Sequence, residues 1–145
     1  MRMDEKLKQA SEKYSLGCTC SQAVFCAYAK ELGLEEETAY RLMEGFGEGC
    51  GGMQEMCGAL AACAAIIGFY CSDGDLENGD SKDFTYQKMR QVEEMFKQEY
   101  GGVTCREILH GECPKQFQCG MKVKDAILII EYVLGDVRTE RESDE

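Results

Sequence analysis

Cysteine is the residue type in this chain whose number and positions could carry chemistry. Ten cysteines occur among 145 residues, several times ordinary usage and close to the level of small disulfide-linked scaffolds. Thiolates bind metals, hold iron–sulfur clusters and exchange with disulfides. Because disulfide scaffolds are normally secreted and rich in loops, the excess favours metal binding or thiol chemistry over structural cross-linking.

Four of the ten cysteines lie at the starts of predicted helices. They are Cys20 before Ser-Gln-Ala-Val, Cys57 before Gly-Ala-Leu, Cys105 before Arg-Glu-Ile-Leu, and Cys119 just before Met121. A helix start presents unpaired N–H groups and a positive partial charge, which favour a thiolate or an anionic cluster. We therefore predict that these four starts converge and that their cysteines are both the reactive and the metal-binding residues.

The other six cysteines carry weaker signals. Cys26 and Cys63 lie mid-helix among apolar neighbours, where cysteine behaves as a small core residue. The sequence leaves the roles of four others open: Cys18, Cys50, Cys71 and Cys113. His110 is the one histidine of the chain, so a histidine-based metal site is not expected.

A glycine-rich segment spans residues 45–52, with five glycines in eight residues. Such a backbone takes unusual dihedral angles and approaches a ligand closely. We predict a loop here, and we expect four glycines to contribute to cofactor binding: Gly49, Gly51, Gly52 and Gly58.

The elements that must position these residues are helices. Apolar residues recur at three- to four-residue spacing, without the alternation of strands, and predict an all-α fold of about six helices. The predicted helices cover residues 4–16, 21–33, 35–44, 56–70, 82–100 and 121–134, with a short helical turn at 105–110. Residues 56–70 are apolar on every side and predict a central buried helix. We expect one domain over residues 1–135 and a charged, disordered tail over residues 136–145.

Charge and hydropathy exclude several classes of partner. The chain carries 27 acidic and 16 basic residues, for a net charge of −11. Nucleic acids and anionic membrane surfaces repel such a protein, and no apolar run has membrane-spanning length. The first ten residues lack the pattern of an export signal, so a cytoplasmic location is expected. A redox partner protein of unidentified kind and a homo-oligomer both remain open.

The residues around the four cysteines resemble the family of redox-active proteins that is named for its C-GCAxxG-C-C cysteine pattern. The resemblance runs over residues 14–134 and is carried by Cys20-Ser-Gln-Ala-Val, the glycine-rich loop, Cys57-Gly58-Ala59, Cys105-Arg-Glu-Ile-Leu, and Cys119 ahead of Val123-Lys124-Asp125-Ala126. One position departs from the pattern. Ala62, followed by Cys63, stands where the family motif Cys-Gly-Ala-x-x-Gly ends in glycine, and we expect slightly looser helix packing there.

The resemblance implies a redox role for the four cysteines. Some relatives carry this domain beside a haem-binding portion and an iron–sulfur centre, which implies an iron–sulfur cluster as the cofactor. Covalent haem is not expected, because the chain has no Cys-x-x-Cys-His. Three interpretations stay open: a cluster for electron transfer, a thiol–disulfide oxidoreductase without metal, and structural metal binding. Structural zinc sites usually show close Cys-x-x-Cys pairs, which this chain lacks.

Overall fold

A computed structural model describes residues 2–110 and 119–144, and for His110, Cys119, Asp136 and residues 138–144 it describes the backbone only. The predicted loop around Cys113 lies outside the described residues. Within the described ranges there are seven α-helices: α1 (Met3–Ser15), α2 (Cys20–Cys26), α3 (Glu36–Met43), α4 (Gly58–Cys71), α5 (Lys82–Tyr100), α6 (Cys105–His110) and α7 (Cys119–Asp144). A 3-10 turn, Glu44–Phe46, follows α3. The all-α prediction is confirmed.

Helix α4 is the centre of the core, as its uniformly apolar sequence predicts. Eight of its fourteen residues are buried, and it packs against α2, α5 and α7. Leu60, Ile66 and Ile67 are completely inaccessible to solvent. Burial of each such side chain contributes about 1.5–3 kcal/mol. Helix α4 therefore forms a well-packed centre against which α2, α5 and α7 are held.

Helix α7 is longer than the sequence predicts. The sequence predicts that the apolar face ends at Leu134, but it continues to buried Val137, and the helix runs to Asp144. Gly135 does not stop it, because glycine inside a helix costs only about 1 kcal/mol. The predicted helix end at Leu134 is therefore wrong, whereas the division into a domain (1–135) and a tail (136–145) stays a prediction.

Helix α2 is shorter than the predicted span of residues 21–33. After Cys26 the hydrogen bonds change from the α-helical pattern to turns. The backbone N–H groups of Tyr28 and Ala29 donate to the carbonyls three residues back, of Phe25 and Cys26. The segment ends at Gly33, whose φ is +73°. Turns thus replace regular helix from residue 27, although the burial of this segment persists through Ala29. None of the described helices is both long and apolar enough to span a membrane.

A buried cation joins α1 to the rest of the domain. The Lys6 ammonium is 1% exposed, lies 2.6 Å from the Glu131 carboxylate and forms a second ion pair with Glu31. It also sits 4.3 Å from the centroid of the Tyr28 ring, and the Tyr28 hydroxyl donates to Glu131. These partners hold the N-terminal helix against α7 and the segment after α2.

Candidate functional site

Helices α2 and α6 start with the same short sequence pattern, Thr-Cys-x-Gln in α2 and Thr-Cys-x-Glu in α6. At α2 the Thr19 hydroxyl accepts from the backbone N–H of Gln22 at 3.2 Å. The Gln22 side chain in turn accepts from the Thr19 backbone N–H at 3.0 Å. This capping box fixes the first turn, in which Cys20 is the first residue.

The same arrangement begins α6. The Thr104 hydroxyl accepts from the backbone N–H of Glu107 at 3.0 Å, and the Glu107 carboxylate accepts from the Thr104 N–H at 3.2 Å. Hydrogen bonds from the hydroxyl and backbone N–H of Thr104 hold the pKa of Glu107 below its usual value. Cys105 therefore occupies the position in α6 that Cys20 occupies in α2.

A short backbone pairing brings the starts of α4 and α6 together. Met56 and Thr104 form an antiparallel bridge, the only such pairing among the described residues. Beside it, the Cys57 N–H donates to the Val103 carbonyl at 3.0 Å. The Cys105 N–H donates to the carbonyl of Glu55 at 2.7 Å. Cys57, the residue before α4, and Cys105, the first residue of α6, are thereby held on the two paired backbone segments.

The starts of α2 and α4 touch at a glycine. A Cβ on Gly58 would lie 2.8 Å from the carbonyl oxygen of Phe46 and 3.4 Å from Cβ of Ser21. Real Cβ atoms do not approach a backbone oxygen that closely, so only glycine fits without a shift. Ser21 is itself anchored, because its hydroxyl donates to the Met43 carbonyl at 2.7 Å.

The glycine-rich segment forms the predicted loop and takes the left-handed conformation over five consecutive residues. Positive φ angles occur at residues 48–52 and again at Gln54. Three of these residues are not glycines: Glu48 at +51°, Cys50 at +69° and Gln54 at +60°. Each costs on the order of 1 kcal/mol or more. Gly49 lies close to the next segment, since its Cβ would be 2.5 Å from the Glu55 nitrogen.

A cavity of about 280 Å³ opens where these helix starts and the loop meet. Its lining residues are Tyr14, Gly17, Cys18, Thr19, Cys20, Glu48, Gly49, Gly52, Gln54, Gly58, Cys105, Leu109 and Lys122. Three cysteines and one lysine thus line one cavity. Lys122 is only 3% exposed, so a basic side chain is buried in the wall of this cavity.

The structure places the four predicted cysteines at helix starts, as expected, and brings two of them to this cavity. Cys20 and Cys105 line it, whereas Cys57 is completely buried at the start of α4 and only its neighbour Gly58 is a lining residue. Cys119 is the first residue of α7 and its side chain lies outside the described part. It stands three positions before Lys122, a spacing that shares one helix face.

The predicted metal and cofactor contacts stay predictions. Among the side chains that the structure describes, no group of three or more histidine, cysteine or acidic residues is arranged to hold a metal ion. A four-cysteine centre would therefore depend on Cys119. Of the predicted cofactor-binding glycines, Gly49, Gly52 and Gly58 line the cavity, while exposed Gly51 is not a lining residue.

The remaining described cysteines divide by burial. Cys26 and Cys63 are core residues, 2% and 0% exposed, which confirms the prediction made for them. Burial raises the pKa of Cys26 to about 11 and raises that of Cys63 further. Cys71 is also buried and Cys50 is exposed in the loop. Next to Cys63, Ala62 is completely buried, so its methyl group is accommodated within the core.

The sequence did not predict Lys122 as a lining residue of the cavity, and it left the role of Cys18 open. Lys122 lies four residues before Ala126 and thus on the buried stripe of α7, a helical spacing that could have identified it. The repeated Thr-Cys-x-Gln/Glu sequence could likewise have shown that α2 and α6 start alike. No comparable signal marks the left-handed residues Glu48, Cys50 and Gln54, because these residue types do not favour that conformation.

Comparison with known proteins agrees with this arrangement of cysteines. The model of one family, described as "Putative redox-active protein (C_GCAxxG_C_C)", matches residues 18–133, well over half of the chain. No curated protein and no solved structure shows a significant match. The matched range includes the helix starts with Cys20, Cys57, Cys105 and Cys119. The chain therefore belongs to the C_GCAxxG_C_C family, which is described as redox-active.

Proposed function

We propose that the protein transfers electrons through a centre held by Cys20, Cys57, Cys105 and Cys119. The observation that carries this proposal is the convergence of helix starts on one cavity, which Cys20 and Cys105 line. Capping boxes and a backbone bridge fix the starts of α2, α4 and α6, so Cys20, Cys57 and Cys105 are positioned before any ligand binds. Preorganised ligands keep the geometry of a redox centre similar in both oxidation states.

The charge of the cavity wall supports an anionic centre. The protein carries a net charge of −11, which opposes the accumulation of thiolates. Lys122 is a buried lysine at the wall, which Glu48 also lines, and in its protonated form a nearby lysine favours the thiolate form of cysteine. The backbone of Gly49 and Gly58 reaches the same space without side chains, so N–H groups can approach bound sulfur.

An iron–sulfur cluster fits the donor chemistry of this site. Four cysteine thiolates are its usual ligands, and their potential depends on hydrogen bonds and burial around the sulfur atoms. Cys57 and Cys105 are buried, at 0% and 7% exposed, whereas Cys20 is half-buried. The cluster would supply the electron-carrying group, while this chain's residues hold it and limit the access of water.

The test is purification of the full chain without oxygen, followed by visible absorption spectra and determination of iron and acid-labile sulfide. We expect iron–thiolate charge-transfer absorption that is lost in each of four variants: Cys20→Ser, Cys57→Ser, Cys105→Ser and Cys119→Ser. Cys50→Ser is the matched control, because Cys50 is exposed and outside the cavity lining. A colourless wild-type protein without iron would overturn the metal centre.

A second function, thiol–disulfide exchange, is favoured by the difference in exposure between half-buried Cys20 and buried Cys105, which line the same cavity. In such exchange the more accessible thiol attacks a disulfide and a second thiol resolves the intermediate. An iron-free protein that reduces a small disulfide in a reaction that depends on Cys20 would support this function. Loss of that activity in Cys50→Ser alone would contradict it.

A further inference from the structure

Exposed apolar side chains stand beside the cavity, on the glycine-rich loop and on α6. Met53 is 67% exposed and directly follows Gly52, which is a lining residue. Leu109 is itself a lining residue and is 41% exposed. Single exposed apolar residues are common, but several beside a functional site are typical of a surface that binds another molecule.

Contacts place these two residues on one continuous surface. The Arg106 guanidinium donates to the Met53 carbonyl at 3.3 Å, and it lies 3.8 Å from the Glu55 carboxylate. Arg106 and Leu109 stand three positions apart on α6, a spacing that shares one helix face. The exposed residue of the loop and the exposed residue of α6 are therefore joined through Arg106.

An acidic edge borders this surface. A Cβ on Gly52 would lie 3.8 Å from the Glu48 carboxylate, so Glu48 reaches the residue before Met53. Glu48 is exposed and also lines the cavity. We use the name mouth surface for the residues on this side of the cavity: Glu48, Met53, Glu55, Arg106 and Leu109.

The charge around the mouth surface is negative. The loop and its extension to α4, residues 44–56, contain three glutamates and no basic residue. Arg106 is the one basic side chain of the mouth surface, and it pairs with Glu55. The whole chain carries a net charge of −11. A partner that brings positive charge to this surface is therefore attracted to it.

We propose that the mouth surface docks a basic electron-transfer protein, which exchanges electrons with the centre in the cavity behind it. The inference rests on the proposed function, because it takes the cysteines of the cavity as the ligands of that centre. One centre loses an electron and the other gains it, and no bond forms or breaks. Apolar residues within a charged rim are the usual composition of such an interface, and methionine adapts to the shape of its partner.

A second acidic surface provides a comparison within the same chain. The loop of residues 73–80 carries four carboxylates and no basic residue, and its Leu76 is 97% exposed. None of these residues lines the cavity. A partner attracted by charge alone would bind this loop, whereas electron transfer requires the partner to lie against the cysteines. The place of binding therefore separates the proposal from a non-specific attraction.

The experiment titrates the isotope-labelled full chain with ferrous cytochrome c, a small basic haem protein. The ferrous form is used so that binding is measured apart from reduction of the haem. Changes in amide chemical shifts locate the contact, and calorimetry at low salt gives the dissociation constant. We expect the shift changes to be concentrated in residues 48–56 and 105–109.

Variants test charge and apolar contact separately. The double variant Glu48→Gln/Glu55→Gln is expected to weaken binding at low salt by about tenfold. Its matched control, Glu77→Gln/Asp80→Asn, removes the same charge from the second acidic loop and is expected to leave the dissociation constant nearly unchanged.

The apolar contact is tested at the exposed methionine. Met53→Gln is expected to weaken binding by about threefold, because it removes apolar area from the interface. Leu76→Gln is the control, since it makes a comparable change at an exposed apolar residue outside the mouth surface. Both substitutions lie at exposed positions, so the variants are expected to fold as the wild type does.

Three results would overturn the proposal: no binding at low salt, shift changes centred on residues 73–80, or equal weakening in the two double variants. Its failure is distinct from that of the proposed function, since docking is measured without electron transfer. A protein that docks cytochrome c at the mouth surface but holds no iron overturns only the metal centre. An iron-bearing protein that does not dock it there overturns only this inference.

Discussion

Met56 and Thr104 pair in an antiparallel bridge, and each is followed directly by a cysteine of the proposed site. The flanking hydrogen bonds, from Cys57 to Val103 and from Cys105 to Glu55, are 3.0 and 2.7 Å long. Backbone bonds of this kind do not depend on side-chain rotamers, so they fix the relative position of two thiol-bearing residues. This single backbone pairing thus sets the relative position of two cysteines of the proposed site.

Gly58→Ala is expected to destabilise the protein by about 1–3 kcal/mol, because the added methyl group meets the Phe46 carbonyl oxygen. Gly68→Ala, later in the same helix, is the matched control. It has open space around its Cβ position and should be neutral or stabilise by up to about 1 kcal/mol. Urea unfolding followed by circular dichroism measures both variants. Equal midpoints for the two would contradict the close contact between Gly58 and the Phe46 carbonyl oxygen.

Thr19→Ala should lower the free energy of unfolding by about 1 kcal/mol, since it removes the hydroxyl that caps α2. Thr19→Ser keeps the hydroxyl and should recover most of this loss. Thr38→Ala, on the exposed surface of α3, controls for the substitution itself and should change stability by only a few tenths of a kcal/mol. A Thr19→Ser variant as unstable as Thr19→Ala would show that the contribution is not the cap.

Lys6→Met should destabilise the protein by about 3–5 kcal/mol, because it leaves Glu31 and Glu131 facing each other without a cation. Replacing Glu131 with glutamine in the same chain should restore part of the loss. Lys13→Met is the control, as its pair with the half-exposed Glu36 is worth less than about 1 kcal/mol. Chemical denaturation measures all three, and equal effects at Lys6 and Lys13 would disprove the role of burial.

Cys26 should make stability depend on pH in the alkaline range. Its folded pKa of about 11 lies above that of an unfolded thiol, about 8.5. A raised pKa contributes stability in full below the unfolded value and loses it as pH rises through the folded value. The stability difference between wild type and Cys26→Ala should therefore shrink from about pH 8.5 to 11. The titration of groups that do not interact with Cys26 cancels in that difference, and a constant difference would refute the prediction.

Much of the helical framework follows from the sequence alone. Helix α5 spans Lys82–Tyr100, as predicted, because its amphipathic pattern ends at Gly101, whose φ of +81° stops the helix. The uniformly apolar residues of α4 likewise predict its central position. The end of α7 is predicted wrongly, since Gly135 resembles a stop and only the burial of Val137 against the core shows that the helix continues.

Capping residues and apolar spacing act over only a few neighbouring positions, so these local patterns predict which cysteines lie at helix starts. The same patterns separate the core cysteines, Cys26 and Cys63, from those at helix starts. In contrast, the meeting of Cys18, Cys20, Cys105 and Lys122 at one cavity is seen only in the folded protein. The reason is that this meeting depends on the Met56–Thr104 bridge and on the Gly58 contact with Phe46, between segments distant in sequence. Local patterns do not encode such pairings, which form only when the packed helices bring the segments together.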